Sequence, residues 1–204
     1  MFLPAALDLL LPAPLPLGVE RSYSSAAAGR DVGLGPGWTH SFAWSIEVAR
    51  RGFVVWKGDG TQLALPAAEP GEVLEGPAGI TLHCQRDVLV LAGGRLTRRF
   101  VRSSTNKHLW LLDSVSDTDG NTIQLRYVDG ALSELVDCVG RVVRVARRGQ
   151  RIHAFMAPQG DAGNYHAFQR YHYDDHGYLV AVTDAAGYSM RFGYETKPYA
   201  GGRR

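Results

Sequence analysis

Cysteine is scarce in this chain, and its scarcity argues against two kinds of small-protein architecture. Cys84 and Cys138 are the two cysteines among 204 residues, and neither belongs to a CxxC motif or a cluster with histidine. A structural zinc site needs four grouped Cys or His ligands, so the sequence does not indicate one. Two cysteines also do not make a disulfide scaffold in a chain of this length. We expect two buried thiols, with a single disulfide as the alternative, and no cofactor.

A strong charge of either sign and a long hydrophobic run are also missing. The formal net charge is +2, which does not indicate a nucleic-acid partner. The apolar start, from Met1 to Pro12, contains Asp8 and no basic residues, and it is too short to span a bilayer. We therefore predict no membrane span and no cleavable signal. Any export would use a route that does not read such a signal.

Helical periodicity is absent, whereas turn-forming residues are frequent. The 24 glycines and 10 prolines make up about a sixth of the chain, which favours strands and turns. Residues 53–56 and 62–65 predict a hairpin, and residues 121–127 alternate between apolar and polar side chains. The predicted fold class is all-β: antiparallel hairpins and meanders that form an open twisted sheet with one apolar face partly uncovered.

The composition changes along the chain and suggests four parts. Four prolines in the first part favour extended backbone, read as an apolar edge laid against a sheet, with a linker as the alternative. The predicted parts are an extended Pro-rich segment at 1–20, a β-rich domain at 21–112, repeats at 113–196 and a tail without a fold of its own at 197–204.

Three features are predicted within these parts. Residues Trp38 to Val48 alternate cleanly and predict one long strand. Residues 66–79 are rich in Gly and Pro and predict a loop or a weakly ordered edge. Residues 158–165 are polar and predict a loop.

A short turn motif recurs through the second half of the chain. Asp-x-x-Gly occurs four times, and Asp129-Gly130 adds a shorter variant. The glycines fall ten residues apart in two series, at Gly120, Gly130 and Gly140 and at Gly177 and Gly187. Ten residues suit a short strand plus a tight turn, in which Asp caps the turn and Gly supplies positive φ. The pattern predicts a meander.

The carboxylates of this region have two interpretations. Paired carboxylates could serve as acid and base or as calcium ligands. Each of them, however, lies close to a turn glycine, as Asx-turn chemistry predicts, and a complete calcium loop is missing. We interpret them as structural and predict no catalytic residue among Asp117, Asp119, Asp137, Asp174, Asp175 and Asp184.

Histidine and serine give no better candidate for catalysis or metal binding. The later histidines form no i, i+2 pair on a strand, so no metal site is predicted from His153, His166, His172 and His176. His40 and Ser41 are adjacent, and neighbours on a strand point to opposite faces. The chain has no G-x-S-x-G motif. We therefore expect that the protein is not an enzyme.

Tyrosines recur near the predicted turns and strand ends. We expect them to pack across strands with their hydroxyl groups in solvent. The alternative function that they suggest is a carbohydrate- or cell-surface-binding module, for which Tyr173 and Tyr188 are the candidate contact residues.

The ordered combination of these motifs resembles the YD repeat of the RHS family. The matching positions are Asp117, Gly120, Tyr127, Gly130, Asp137, Gly140, Tyr171, Tyr173, Asp174, Gly177, Asp184, Gly187 and Tyr194. The earlier run from Leu15 through Gly33-Leu-Gly-Pro-Gly-Trp38 to Phe42 resembles the domain that precedes these repeats in bacterial RHS proteins. Together the matches cover roughly residues 10–196.

The resemblance implies a structural role. Repeats of that family wind as a continuous β-sheet into a hollow shell around a C-terminal toxin domain, and the type VI secretion apparatus commonly delivers them. It implies a non-enzymatic shell segment that encloses or presents a toxin, with the rest of the shell or a cargo polypeptide as partner. The PAAR-like tip, the self-cleaving aspartyl segment and the toxin domain have no counterpart in the sequence, so we expect a truncated copy.

Two further expectations follow from the resemblance. A piece of a closed shell exposes strand edges, and we therefore expect self-association through them. We also expect the protein in the bacterial cytoplasm, with export by a system that is independent of a signal peptide.

Overall fold

The computed structural model describes residues 1–160 and 163–194, and these are built almost entirely from β-strands. Strands hold 59% of the described residues and helices 3%, and the strand pairings are antiparallel, which confirms the all-β fold class. Two single 3₁₀ turns, at Ser25–Ala27 and Pro77–Gly79, are the helical part. The strands are β1 (Phe2–Leu11), β2 (Leu17–Ser24), β3 (Trp38–His40), β4 (Ser45–Ala49), β5 (Gly52–Trp56), β6 (Gln62–Pro66), β7 (Val73–Glu75), β8 (Thr81–Cys84), β9 (Val88–Gly93), β10 (Leu96–Arg102), β11 (Leu109–Asp117), β12 (Thr122–Val128), β13 (Ala131–Val136), β14 (Val142–Arg148), β15 (Arg151–Gln159), β16 (Asn164–Tyr173), β17 (Leu179–Asp184) and β18 (Ser189–Arg191).

The strands form two sheets. Strands β1, β2 and β3 form a three-stranded sheet, called here the N-terminal sheet. The other fifteen strands form the long sheet, in which β7 to β18 follow one another in chain order. Strands β4, β5 and β6 branch from it because β4 pairs with one half of β11. Within the described residues the sheet is open, and β18 has β17 as its one neighbour.

Local sequence signals account for the regular part of the long sheet. The hairpin predicted around Lys57–Thr61 is confirmed, with Trp56 opposite Gln62. In β12 the apolar residues Ile123 and Leu125 are buried and the intervening Gln124 is exposed, as period-two alternation requires.

The N-terminal sheet packs against one face of the long sheet. Leu17 and Val19 of β2 are completely buried in the same apolar cluster as Leu135, Val143 and Ile152 of the long sheet. The expectation that this apolar face is partly uncovered is therefore wrong for these strands. The first residues of the chain fold back and cover it, which a reading strand by strand could not predict.

The prediction of one strand from Trp38 to Val48 is also wrong. Strand β3 pairs with β2 in the N-terminal sheet, whereas β4 pairs with β11 in the long sheet. Between them Ser41 donates its hydroxyl to the Gly18 carbonyl (2.7 Å), and the Ala43 amide donates to the His40 carbonyl (2.8 Å). These bonds turn the chain, so the alternating residues are divided between two sheets.

The predicted polar loop at 158–165 is shorter than expected. Strand β15 continues to Gln159 and β16 begins at Asn164, and these two residues are paired. Residues 161 and 162 lie outside the described part of the chain. The polar residues belong to two long paired strands, because backbone pairing at the end of a hairpin does not require apolar side chains.

The proline-rich start and the Gly/Pro-rich segment both contain strands. The prolines after β1 lie in its turn to β2, and Pro4 falls at an irregularity in the pairing of the two strands, where proline is tolerated. Residue 20, the expected end of the first part, lies inside β2. Within 66–79, β7 forms the edge of the long sheet. The expected tail at 197–204 lies outside the described residues.

Candidate functional site

The four Asp-x-x-Gly turns have the same geometry. In each, one Asp side-chain oxygen accepts two backbone N–H bonds, from the residues two and four positions later, at 2.7–3.1 Å. The glycine N–H donates to the Asp carbonyl, and the glycine φ lies between 81° and 90°. A side chain is strained at such φ values, so glycine is required there. The four aspartates are Asp117, Asp137, Asp174 and Asp184.

This geometry supports the structural interpretation of the carboxylates. The turn aspartates use their oxygens to hold the backbone, and Asp137 also forms an ion pair with Arg141. The pKa of Asp117 is lowered by hydrogen bonds to its carboxylate, and the bond from the Asn121 side chain contributes most. Asp119 and Asp175 are exposed at their turns. The six carboxylates are distributed over four turns along the sheet, with Asp119 in the turn of Asp117 and Asp175 in the turn of Asp174.

The ten-residue step combines two kinds of turn. Asp129 and Gly130 both have positive φ, and Val128 pairs directly with Ala131, which makes a two-residue hairpin turn. Asp117 and Asp137 begin the longer Asp-x-x-Gly turns on either side of it. In this part the repeating unit is therefore a hairpin of 20 residues, which is the spacing of Asp117 and Asp137. Gly130 lies in the short turn of that hairpin and is not equivalent to Gly120 and Gly140.

Two tyrosines ten residues after an Asp-x-x-Gly aspartate act alike. Tyr127 follows Asp117 and donates its hydroxyl to the Leu112 carbonyl at 2.8 Å. Tyr194 follows Asp184 and donates to the Leu179 carbonyl at 2.7 Å. Burial raises the pKa of both tyrosines. The expectation that these hydroxyl groups remain in solvent is wrong: they satisfy carbonyl groups of the preceding strand.

Tyr173 and Tyr188, the two residues suggested for an aromatic binding surface, differ in exposure. Tyr173 is half-buried, and its hydroxyl donates to the Ile152 carbonyl at 2.5 Å. It is therefore a packing residue, and its assignment to an exposed surface is corrected. Tyr188 is 78% exposed. The carbohydrate-binding alternative retains one of its two residues.

A buried cluster fastens the N-terminal sheet to the repeats. The Asp8 carboxylate forms an ion pair with Arg21 and accepts a hydrogen bond from the Tyr171 hydroxyl at 2.7 Å. All three residues are almost fully buried. Burial raises the pKa of Asp8 and outweighs the opposite influence of Arg21. This cluster joins β1 and β2 to β16 through polar groups that are almost completely shielded from water.

The loop between β2 and β3 makes the second attachment. Asp31 accepts backbone N–H bonds from Gly33 (2.8 Å) and Gly35 (3.2 Å) and forms an ion pair with Arg151. The Gly33 carbonyl accepts the Ile152 N–H at 2.8 Å. The loop thereby accepts bonds from the first two residues of β15, the Arg151 side chain and the Ile152 N–H.

Substitution of Gly35 by alanine tests how closely the same loop approaches the turn between β16 and β17. A Cβ at Gly35 would lie 2.8 Å from the Gly177 carbonyl oxygen, and the residue has a φ of 91°. We expect Gly35→Ala to lower the free energy of unfolding by about 2 kcal/mol, because strain and overpacking act together. Gly29→Ala is the control, since no atom lies within 4 Å of its Cβ position, and a change within about 0.5 kcal/mol is expected. Equal stability of the two variants in urea unfolding would contradict the close approach.

The four later histidines differ in exposure. His172 and His176 are exposed, and His153 and His166 are half-buried. Among residues 1–160 and 163–194, no group of three His, Cys, Asp or Glu side chains could hold a metal ion. No helix in this part of the chain is long and apolar enough to cross a membrane.

Both cysteines are free thiols, which excludes the alternative disulfide in this structure. Cys84 is buried as expected, and burial raises the pKa of its thiol. Cys138 is only half-buried, and its thiol donates to the Leu15 carbonyl at 3.6 Å. The expectation of two buried thiols therefore holds for one of them.

A cleft opens where the long sheet divides. One edge of β11 pairs with β4 at residues 109–111 and with β12 at residues 114–116, so β4 and β12 separate. The resulting cleft, called here the fork cleft, has a volume of about 450 Å³. Tyr127 and Leu132 lie on one side of it, Trp44 and Glu47 on the other.

Cationic and imidazole groups lie at the base of the fork cleft. Arg30 donates to the Ala43 carbonyl (2.5 Å) and the Ser45 hydroxyl (3.1 Å), while its Nη1 is buried without a hydrogen-bond partner among the described residues. His40 is 2% exposed, and its Nδ1 also has no such partner. Burial, followed by the nearby Arg30 and Arg147, lowers the pKa of His40 to about 3. Burial lowers the pKa of Arg30 to about 10.

Most of these residues carry no sequence signal. The attachment of Asp8 to Tyr171 and the burial of Arg30 and His40 depend on contacts between distant parts of the chain. Arg147 stands ten residues after Asp137, where the equivalent positions after Asp117 and Asp184 hold tyrosine. The fourth such position, ten residues after Asp174, holds Asp184, so counting from the turn gives two departures from tyrosine and does not single out Arg147.

Comparison with known families assigns part of the chain. Residues 1–65 match the family model described as a domain of unknown function, DUF6531. Domains of this kind occur in RHS and YD-repeat proteins. The matched residues comprise the N-terminal sheet, β4, β5 and nearly all of β6. A search of curated proteins finds no match to the chain.

Proposed function

We propose that this protein is a non-enzymatic structural segment of an RHS-type shell that encloses or presents a polypeptide, in that family commonly a toxin delivered by type VI secretion. The observation that carries the proposal is the uninterrupted run of antiparallel strands from β7 to β18 in chain order, with four identical Asp-x-x-Gly turns. The DUF6531 match before these strands supports it.

The arrangement of the two sheets suits such a role. The N-terminal sheet covers one face of the last strands, and the ties at Asp8 and Asp31 hold it there. The carboxylates of the turn aspartates accept hydrogen bonds from the backbone N–H groups of their own turns. The proposed function therefore comes from the shape and continuity of the sheet and requires no catalytic group.

Strand β18 is the place where the sheet would continue. The Phe192 N–H donates to the Val180 carbonyl, and the Tyr188 carbonyl accepts the Asp184 N–H, both at 2.9 Å. Because successive residues of an antiparallel strand alternate in direction, the backbone groups of Ser189 and Arg191 point away from β17. Among the described residues they have no strand partner. Open edges of this kind accept a further strand.

Self-association through this edge tests the proposal. We expect the chain to associate with increasing concentration and Arg191→Pro to weaken association by about tenfold, because proline removes the outward N–H and is tolerated at an edge. Arg191→Ala, which keeps that N–H, is the control and should associate like the unaltered chain. Light scattering after size-exclusion chromatography measures both variants. A chain that stays monomeric at high concentration, or equal association of both variants, would count against the proposal.

A further inference from the structure

The fork cleft is lined by two arginines that have no carboxylate partner among the described residues. Within the described residues, Asp8, Asp31, Asp113, Asp137 and Glu134 each pair with an arginine. Arg30 and Arg147, which line the cleft, are not in such a pair among residues 1–160 and 163–194.

The charge balance of the cleft favours an anion. Arg30, Arg147 and Arg151 line it together with Asp31 and Glu47. Asp31 is engaged by Arg151 and by two backbone N–H groups. Glu47 is exposed and acts on Arg30 from beyond ion-pair distance. One positive charge therefore remains at the base of the cleft.

The unused hydrogen-bonding groups lie at the same place. Arg30 Nη1 is buried without a partner, and its guanidinium lies over the Trp56 ring, 5.0 Å from the ring centre. His40 also lines the cleft and is 2% exposed, and its Nδ1 is buried without a hydrogen-bond partner among the described residues. Buried polar groups in proteins normally have partners, so two in one cleft indicate a ligand that supplies them.

The position of Arg147 adds an independent argument. At the equivalent repeat positions, Tyr127 and Tyr194 fill the space beside the neighbouring strand and bond its carbonyl. Arg147 instead donates to the Gln150 carbonyl at 2.5 Å and borders the cleft. The exchange of tyrosine for arginine adds a second cation to a cleft that Tyr127, at the equivalent position of the preceding repeat, also lines.

We propose that the fork cleft binds an organic carboxylate, whose oxygens accept hydrogen bonds from Arg30 and from His40 in its Nδ1-protonated form. Arg30 Nη2 already donates to Ala43 and Ser45, so Nη1 is the group that donates a charge-assisted hydrogen bond to a carboxylate oxygen. The apolar side chains of Phe42, Trp44 and Leu111 on the cleft walls contact the body of the ligand. The carboxylate belongs either to a free organic acid or to a polypeptide chain end, and this site is independent of the proposed shell function.

Titration with N-acetylphenylalanine and with its amide tests the site. Binding to the intact chain is followed by amide chemical shifts in two-dimensional NMR. We expect saturable shifts at cleft residues with the acid and at least about tenfold weaker binding of the amide, the loss of one charge-assisted interaction. Equal binding of acid and amide, or no saturable shift with the acid, would overturn the proposal. Tighter binding of inorganic phosphate than of the acid would also overturn it.

Arginine variants distinguish binding in the cleft from nonspecific attraction of the acid to the positive charge of the protein. Arg30→Gln and Arg147→Gln should each weaken binding of the acid by about tenfold, whereas Arg99→Gln, in an exposed ion pair away from the cleft, should leave it unchanged. The spectrum of each variant reports whether it is folded. A tetrapeptide with a free C-terminal phenylalanine identifies the source: tighter binding than the single amino acid favours a polypeptide end, and equal binding a free acid. Unchanged binding in both cleft variants would contradict the site.

Discussion

Replacing Asp8 with alanine is expected to lower the free energy of unfolding by about 3–5 kcal/mol, the range for breaking a buried ion pair. The side chains of Asp8 and Arg21 are 1% and 5% exposed, so Arg21 would remain as a buried charge without a counterion. The Tyr171 hydroxyl would lose its acceptor as well. Because these groups join the N-terminal sheet to β16, the loss weakens the attachment of the two sheets.

Two further variants make the result specific. Asp113→Ala breaks an ion pair with Arg99 that is partly exposed, and we expect it to cost about 0–1 kcal/mol. The double variant Asp8→Leu with Arg21→Met replaces both charges by apolar groups and should recover most of the lost stability. Urea unfolding at neutral pH measures all three proteins. A cost for Asp8→Ala no larger than that for Asp113→Ala would show that the buried cluster does not hold the sheets together.

Acidification should destabilise the protein through His40. Its pKa is lowered from 6.5 to about 3 in the folded chain, chiefly by burial. Between these values the unfolded chain binds a proton that the folded chain does not, so stability is lost as the pH falls through this window. From pH 6.5 to pH 4 the loss attributable to His40 is on the order of 3 kcal/mol.

His40→Gln isolates this contribution, because glutamine does not titrate and all other groups are shared. Urea unfolding measures the stability of both proteins. Between pH 6.5 and pH 4 the unaltered chain should lose about 3 kcal/mol more than the variant. Parallel pH profiles of the two proteins would contradict the burial of a neutral His40. A ligand in the fork cleft would not alter the comparison, since the measurement uses the protein alone.

The turns were predictable because their causes are local. Asp174 and Gly177 are three residues apart, and the side-chain and φ requirements that define the turn act within five residues. The alternation of β12 is equally local, since Ile123 and Leu125 face the core whatever covers them. The all-β class followed from such signals alone.

The packing of the N-terminal sheet was not predictable in this way. Asp8 and Tyr171 are 163 residues apart, and neither carries a sign of its partner. The run from Trp38 to Val48 alternates like one strand because both of its halves have a buried face. Only the bonds of Ser41 and Ala43 divide it between two sheets.

The fork cleft stands between these two cases. Its existence depends on β4 replacing β12 along β11, which is a long-range event. Arg147 stands where Tyr127 and Tyr194 stand in two other repeats, but Asp184 after Asp174 departs from tyrosine as well, so the local sign is weak.

Hydrogen exchange at β18 tests most directly whether the long sheet ends in an edge made for another strand. The amide hydrogens of Ser189 and Arg191, which point away from β17, are followed at pH 7 in dilute and in concentrated protein. We expect rapid exchange in the dilute sample and marked slowing in the concentrated one, with the amide of Phe192, which bonds to Val180, protected in both. Equal exchange of Ser189 and Arg191 at the two concentrations, or protection already in dilute protein, would contradict an open pairing edge.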